Sequence, residues 1–64
     1  MTLAKFIDTR LKHSDYVTIF SMGNMVLYRG IVADIPYRLA VKSDFISATM
    51  AGHVISVCVV YNNN

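Results

Sequence analysis

The spacing of apolar residues changes period after Asp15, and that change divides the chain. Before it, Leu3, Phe6, Ile7 and Leu11 recur at intervals of three and four, with Lys5, Asp8, Thr9 and Lys12 on the other side. This is the one-sided pattern of an amphipathic helix, and Thr2 is placed to cap it. A helix of about ten residues is marginal in isolation, so its apolar stripe must pack on something. His13-Ser14-Asp15 ends it.

Beyond Asp15 the residues are those of strands. Tyr16 to Ser21 is β-branched and aromatic, the composition favoured on a pleated surface. Met22-Gly23-Asn24 reads as a turn, and Met25 to Ala33 as a second strand forming a hairpin with the first. Gly30 inside that strand marks a bulge or bend. Asp34-Ile35-Pro36-Tyr37-Arg38-Leu39 then interrupts the pattern. Proline lacks a backbone donor but suits the first positions of a helix, so one helical or 3₁₀ turn is expected there. Val41 to Thr49 reads as a third strand, Met50-Ala51-Gly52-His53 as a turn and Val54 to Tyr61 as a fourth strand. Asn62-Asn63-Asn64 reads as a frayed tail. The expectation is one α+β domain over residues 1–61: a short N-terminal helix, then a four-stranded, mainly antiparallel sheet or small, partly open barrel.

The fourth strand carries the strongest inference. Ile55, Val57, Val59 and Tyr61 make one face, and Val54, Ser56, Cys58 and Val60 the other; neither is polar. A strand apolar on both sides requires cover on both, and one short helix covers one. The second cover is either barrel closure or another subunit. Val54, Cys58 and Val60 are the expected interface residues for the second case.

Composition sharpens the choice. The chain has 64 residues, 55% of them hydrophobic, above the usual proportion. A chain this short buries only about 60% of its unfolded surface, and such domains commonly need a staple. One cysteine, Cys58, makes no internal disulfide and favours a reducing compartment. Cys58, His13, His53, Asp8, Asp15, Asp34 and Asp44 fall in no spacing typical of a structural zinc site. Association remains, so a homo-oligomer is expected, most simply a two-fold dimer. The longest apolar run, Val54 to Tyr61, is too short for a membrane helix. The N-terminal segment lacks a sustained apolar stretch, so no signal peptide and a cytoplasmic location are expected. No cofactor is indicated. The net charge of +2 is too mild to point to nucleic acid.

Thr2-Leu3-Ala4-Lys5-Phe6-Ile7, Val17-Thr18-Ile19, Leu27-Tyr28-Arg29-Gly30 and Asp34-Ile35-Pro36 resemble a pattern found in short helix-plus-small-sheet proteins of Gram-positive bacteria and their phages. That resemblance implies an accessory, phage-borne context and action by binding and blocking, including sequestration of nucleotide signals or inhibition of a nuclease. It transfers no functional residue.

Among residues able to carry chemistry, Cys58 lies mid-strand among valines and reads as a small hydrophobe rather than a nucleophile. Capping and turn formation account for Asp15 and Asp34. The glycines are isolated and form no phosphate loop. No enzyme signature is present. The candidate ligand cluster is Tyr28, Arg29, Tyr37, Arg38 and Lys42, two Tyr-Arg pairs flanking the Asp-Ile-Pro break with a lysine beyond. Rings stack on bases and guanidinium forks hold phosphates; against this, tyrosines also pack and arginines also guard sheet edges. Three readings follow: an oligomeric module sequestering a nucleotide-like anion, an inhibitor docking an apolar face or sheet edge on a host protein, and a small nucleic-acid-binding barrel.

Overall fold

The computed structural model describes residues 1–62. Helix α1 spans Leu3–Arg10, capped by Thr2, whose Oγ1 accepts the Lys5 N–H at 3.2 Å. Leu3 and Phe6 face the core. The Leu11 N–H closes on the Ile7 carbonyl as the backbone turns extended, ending the helix. Asp15 then accepts the Lys12 N–H on its carboxylate at 2.8 Å, a local turn that releases the chain into the sheet.

Strands β1 (Tyr16–Ser21) and β2 (Val26–Ile31) form the expected antiparallel hairpin. The positive φ in its turn, 63°, falls on Asn24 rather than on Gly23; asparagine tolerates that conformation through its short polar side chain. A 3₁₀ turn, Val32–Asp34, and helix α2, Tyr37–Lys42, carry the chain across the core face to the opposite edge of the sheet. Strands β3 (Ser43–Ala51) and β4 (Val54–Tyr61) form a second antiparallel hairpin. Gly52, with φ 64°, is the first of its two loop residues, the glycine-first pattern of a II′ hairpin.

The sheet order is β2-β1-β4-β3, with β1 and β4 parallel at its centre. It is an open, mixed sheet, antiparallel in its two outer pairings, and β2 and β3 are edges rather than a closed seam. Val17 and Ile19 of β1 and Ile55, Val57 and Val59 of β4 point to the helix side, joining Leu3, Phe6, Val32 and Leu39 in one core. Each fully buried aliphatic side chain contributes about 1.5–3 kcal/mol. Two bulges bend the sheet, at Leu27 opposite Ile19/Phe20 and at Ile46 between Phe45 and Ser47.

Several boundaries differ from the sequence reading: α1 ends at Arg10, short of His13, and the second strand starts at Val26 rather than Met25. The second strand stops at Ile31 rather than Ala33, because the chain coils to bury Val32. The third begins at Ser43 rather than Val41, since the expected single turn after Pro36 continues through Lys42. Burial of Leu39 against the sheet holds that turn helical, overriding the β preference of Val41. The third strand also runs on to Ala51, so the loop that follows is only two residues long. Of the tail, Asn62 donates its N–H to the Lys42 carbonyl at 2.9 Å, while Asn63 and Asn64 lie outside the described residues. No helix among the described residues is long and apolar enough to cross a membrane.

Candidate functional site

Alternation along each strand divides the sheet into two unlike faces. The helix side is the core. The other side carries neither α1 nor α2, and the register arranges its residues in rows. One row runs Ile31, Tyr16, Val54, Ala51. The next, Arg29, Thr18, Ser56, Thr49, is polar. The third runs Val26, Phe20, Cys58, Ser47, with Val60 and the bulged Ile46 beyond it. Two apolar bands thus flank a band of hydroxyls. Tyr16, Val26, Ile46 and Val54 are about half exposed, at 51%, 50%, 49% and 54%. Patches of this kind mark contact surfaces on small proteins. Its charged strand residues among those described are Arg29 on one edge strand and Asp44 on the other.

The residues expected at an oligomer interface, Val54, Cys58 and Val60, all lie on this face, on central strand β4. Cys58 is half-buried and sits between Phe20 of β1 and Ser47 of β3. Neither histidine is a close sequence or strand partner of it: His13 precedes β1 and His53 is in the β3–β4 loop. No group of three or more His, Cys or Asp side chains capable of holding a metal occurs among the described residues.

The proposed ligand cluster is placed differently. Tyr28 and Arg29 are consecutive in a strand and point to opposite faces. Tyr28 lies on the helix side, where its hydroxyl donates to the Ile31 carbonyl at 2.6 Å. Its ring covers Gly30, whose φ is 157°, and a Cβ there would stand 2.7 Å from the phenol oxygen. Burial pushes the Tyr28 phenol above its ordinary pKa, and the nearby Asp34 and Tyr16 add to the rise. Arg29 lies on the open face. Tyr37 lines a shallow cleft with Ile7, Asp8 and His13 beside α1, whereas Arg38 lines another with Leu27 and Tyr61. Lys42 ends α2. Within one chain the five share no cleft. The physical signal was present in the sequence: neighbours in a strand face opposite ways, so Tyr28-Arg29 cannot grip one ligand from one side.

The sequence reading passed over another site. Phe6 and Arg10, one helical turn apart on α1, and Phe45, Ala48 and Met50 of β3 line a cleft with Met1, of about 370 Å³. The Phe6 and Phe45 rings stack there with centroids 4.2 Å apart and planes at 17°. The i, i+4 spacing of Phe6 and Arg10 was legible; the approach of β3 was not, because it depends on the crossover through α2. Compared with protein-family models, with curated proteins and with solved structures, the chain matches none.

Proposed function

We propose that the chain is a non-enzymatic binding module that assembles as a two-fold homodimer through the open face of its sheet. The observation that supports this is the pair of apolar bands on a face that neither helix covers. Packing two such faces about 10 Å apart gives a sandwich and removes Phe20, Val26, Val54 and Val60 from water together. The rows favour a second copy as the occupant: a two-fold axis running along the strands keeps each row at its own level, so apolar band meets apolar band and hydroxyl band meets hydroxyl band. Arg29 is on β2 and Asp44 on β3, at opposite edges. The same axis lays β2 over the partner's β3 with Arg29 of one copy and Asp44 of the other two rows apart along the strands, so no like charges meet.

Light scattering at micromolar concentration tests the assembly. The expected mass is twice the 7.2 kDa of one chain. Val60→Asp should yield folded monomer, because burying an unpaired carboxylate opposes association. Val26→Asp, at a half-exposed position of the same face, should do the same. A wild-type monomer, or a dimer that survives both substitutions, would overturn the reading. A monomer would return weight to docking on a host protein, the blocking role that the phage-like resemblance implies.

A further inference from the structure

The cleft between α1 and β3 lies on the helix side of the sheet, away from the face assigned to assembly. Five of its six lining residues, Met1, Phe6, Phe45, Ala48 and Met50, are apolar, and the sixth is Arg10. Met1 and Met50 are 69% and 66% exposed. Unbranched methionines adapt their shape to whatever lies against them, so they suit the walls of a site for a flexible apolar body. The stacked Phe6–Phe45 pair supplies a firm floor. Arg10 makes no hydrogen bond or ion pair among the described residues, and no acidic side chain lines the cleft. A largely apolar pocket with one polar group that fixes orientation is the usual form of a small-molecule site. Taking about 30 Å³ per small group, the volume a liquid water occupies, the cleft of about 370 Å³ holds roughly a dozen heavy atoms.

We infer that this cleft binds a medium-chain aliphatic carboxylate, its tail on the Phe6–Phe45 stack between Met1 and Met50 and its carboxylate on the Arg10 guanidinium. The assignment follows from the lining: a carboxylate gives Arg10 a partner, and the other lining side chains, all apolar, suit an alkyl tail better than the further charges of a polyanion such as a nucleotide. The guanidinium fork matches a carboxylate in two parallel hydrogen bonds. The site does not depend on the dimer.

Decanoate, of about the right size by that volume, is the probe, titrated below its micellar concentration into isotopically labelled protein. Saturable shifts of the Phe6, Phe45, Ala48 and Met50 resonances are expected, with a raised melting temperature. Decanol and hexanoate should bind more weakly, the first lacking the charge and the second the length. Arg10→Gln should weaken decanoate roughly fivefold, the upper range for an exposed ion pair, and leave decanol unchanged. Ala48→Phe should abolish binding by filling the cleft; if it unfolds, Met50→Asp serves the same purpose on an exposed side chain. No saturable shift at millimolar decanoate would overturn the inference. So would equal affinity for decanol, indifference to Arg10→Gln, or shifts confined to Phe20, Cys58 and Val60 on the opposite face.

Discussion

Replacing Ser43 by alanine should make this protein more stable, although it removes a polar group from a tightly packed position. Ser43 is fully buried at the junction of α2 and β3, opposite Tyr61, and its hydroxyl oxygen has no hydrogen-bond partner among the described residues. A hydroxyl stripped of water without replacement costs about 1–3 kcal/mol. Alanine leaves a void of about one small atom, on the order of 10–15 Å³, which at ~24 cal/mol per Å³ costs about 0.3 kcal/mol. Ser43 already has strand dihedrals, φ −102° and ψ 137°, so helix propensity does not enter, and the lower strand preference of alanine takes back a few tenths. The net expectation is a gain of about 1 kcal/mol or somewhat more. Domains of this kind hold roughly 0.05–0.15 kcal/mol per residue, so the gain is a sizeable fraction of the whole. With a urea slope near 1 kcal/mol per molar, the midpoint should rise by about 1 M at unchanged slope. Equilibrium urea unfolding followed by circular dichroism measures it. A midpoint lowered by a similar amount would refute the reasoning and mean that the hydroxyl is bonded in solution, through a bound water or a rotated side chain.

Gly30→Ala should destabilise by about 1–3 kcal/mol, the cost of a strained backbone position, because its φ of 157° and the Tyr28 ring above it both exclude a Cβ; an unchanged melting temperature would contradict this. Leu3→Ala, at a fully buried position, should cost about 2.7–5 kcal/mol and leave the domain largely unfolded in thermal melts; a loss below 1 kcal/mol would place Leu3 outside the core. Because the Tyr28 phenol is raised above 10.0 in the folded state, it supports the fold below its unfolded pKa, and that support is lost as pH climbs through the folded value. Urea midpoints should therefore fall as pH rises past the unfolded value of about 10, and Tyr28→Phe should flatten that decline; an identical decline in the variant would remove Tyr28 as its source. Cys58→Ser should keep decanoate binding, which lies on the opposite face, and its loss with an unchanged melting temperature would reveal chemistry at the thiol.

Local regularities were legible without the fold. The three-and-four spacing of Leu3, Phe6, Ile7 and Leu11 belongs to α1, and the change of period after Asp15 to the start of β1. The division of β4 into a face with Ile55, Val57 and Val59 and a face with Val54, Cys58 and Val60 is also observed, the first set being the buried one. These are properties of helix and strand geometry acting over a few residues, which is why a linear reading reaches them. The extra turn of α2 was not legible, since Val41 prefers a strand and only contact of Leu39 with the core decides otherwise.

The site was decided by tertiary structure. Tyr28, Arg29, Tyr37 and Arg38 are near in sequence, but strand alternation and the crossover through α2 send them to different surfaces. Phe6 and Phe45 are far apart in sequence, yet their rings stack because β3 returns to the edge beside α1. The sequence by itself determined the one-sided pattern of α1 and the alternation along the strands, though not the helical form of Val41 and Lys42. It did not determine that β4 would insert between β1 and β3, parallel to one and antiparallel to the other. That choice rests on burying the most apolar strand at the centre of the sheet while one face has only two short helices to cover it, a balance of contacts summed over the whole chain. The open face opposite those helices and the cleft beside α1 both follow from it.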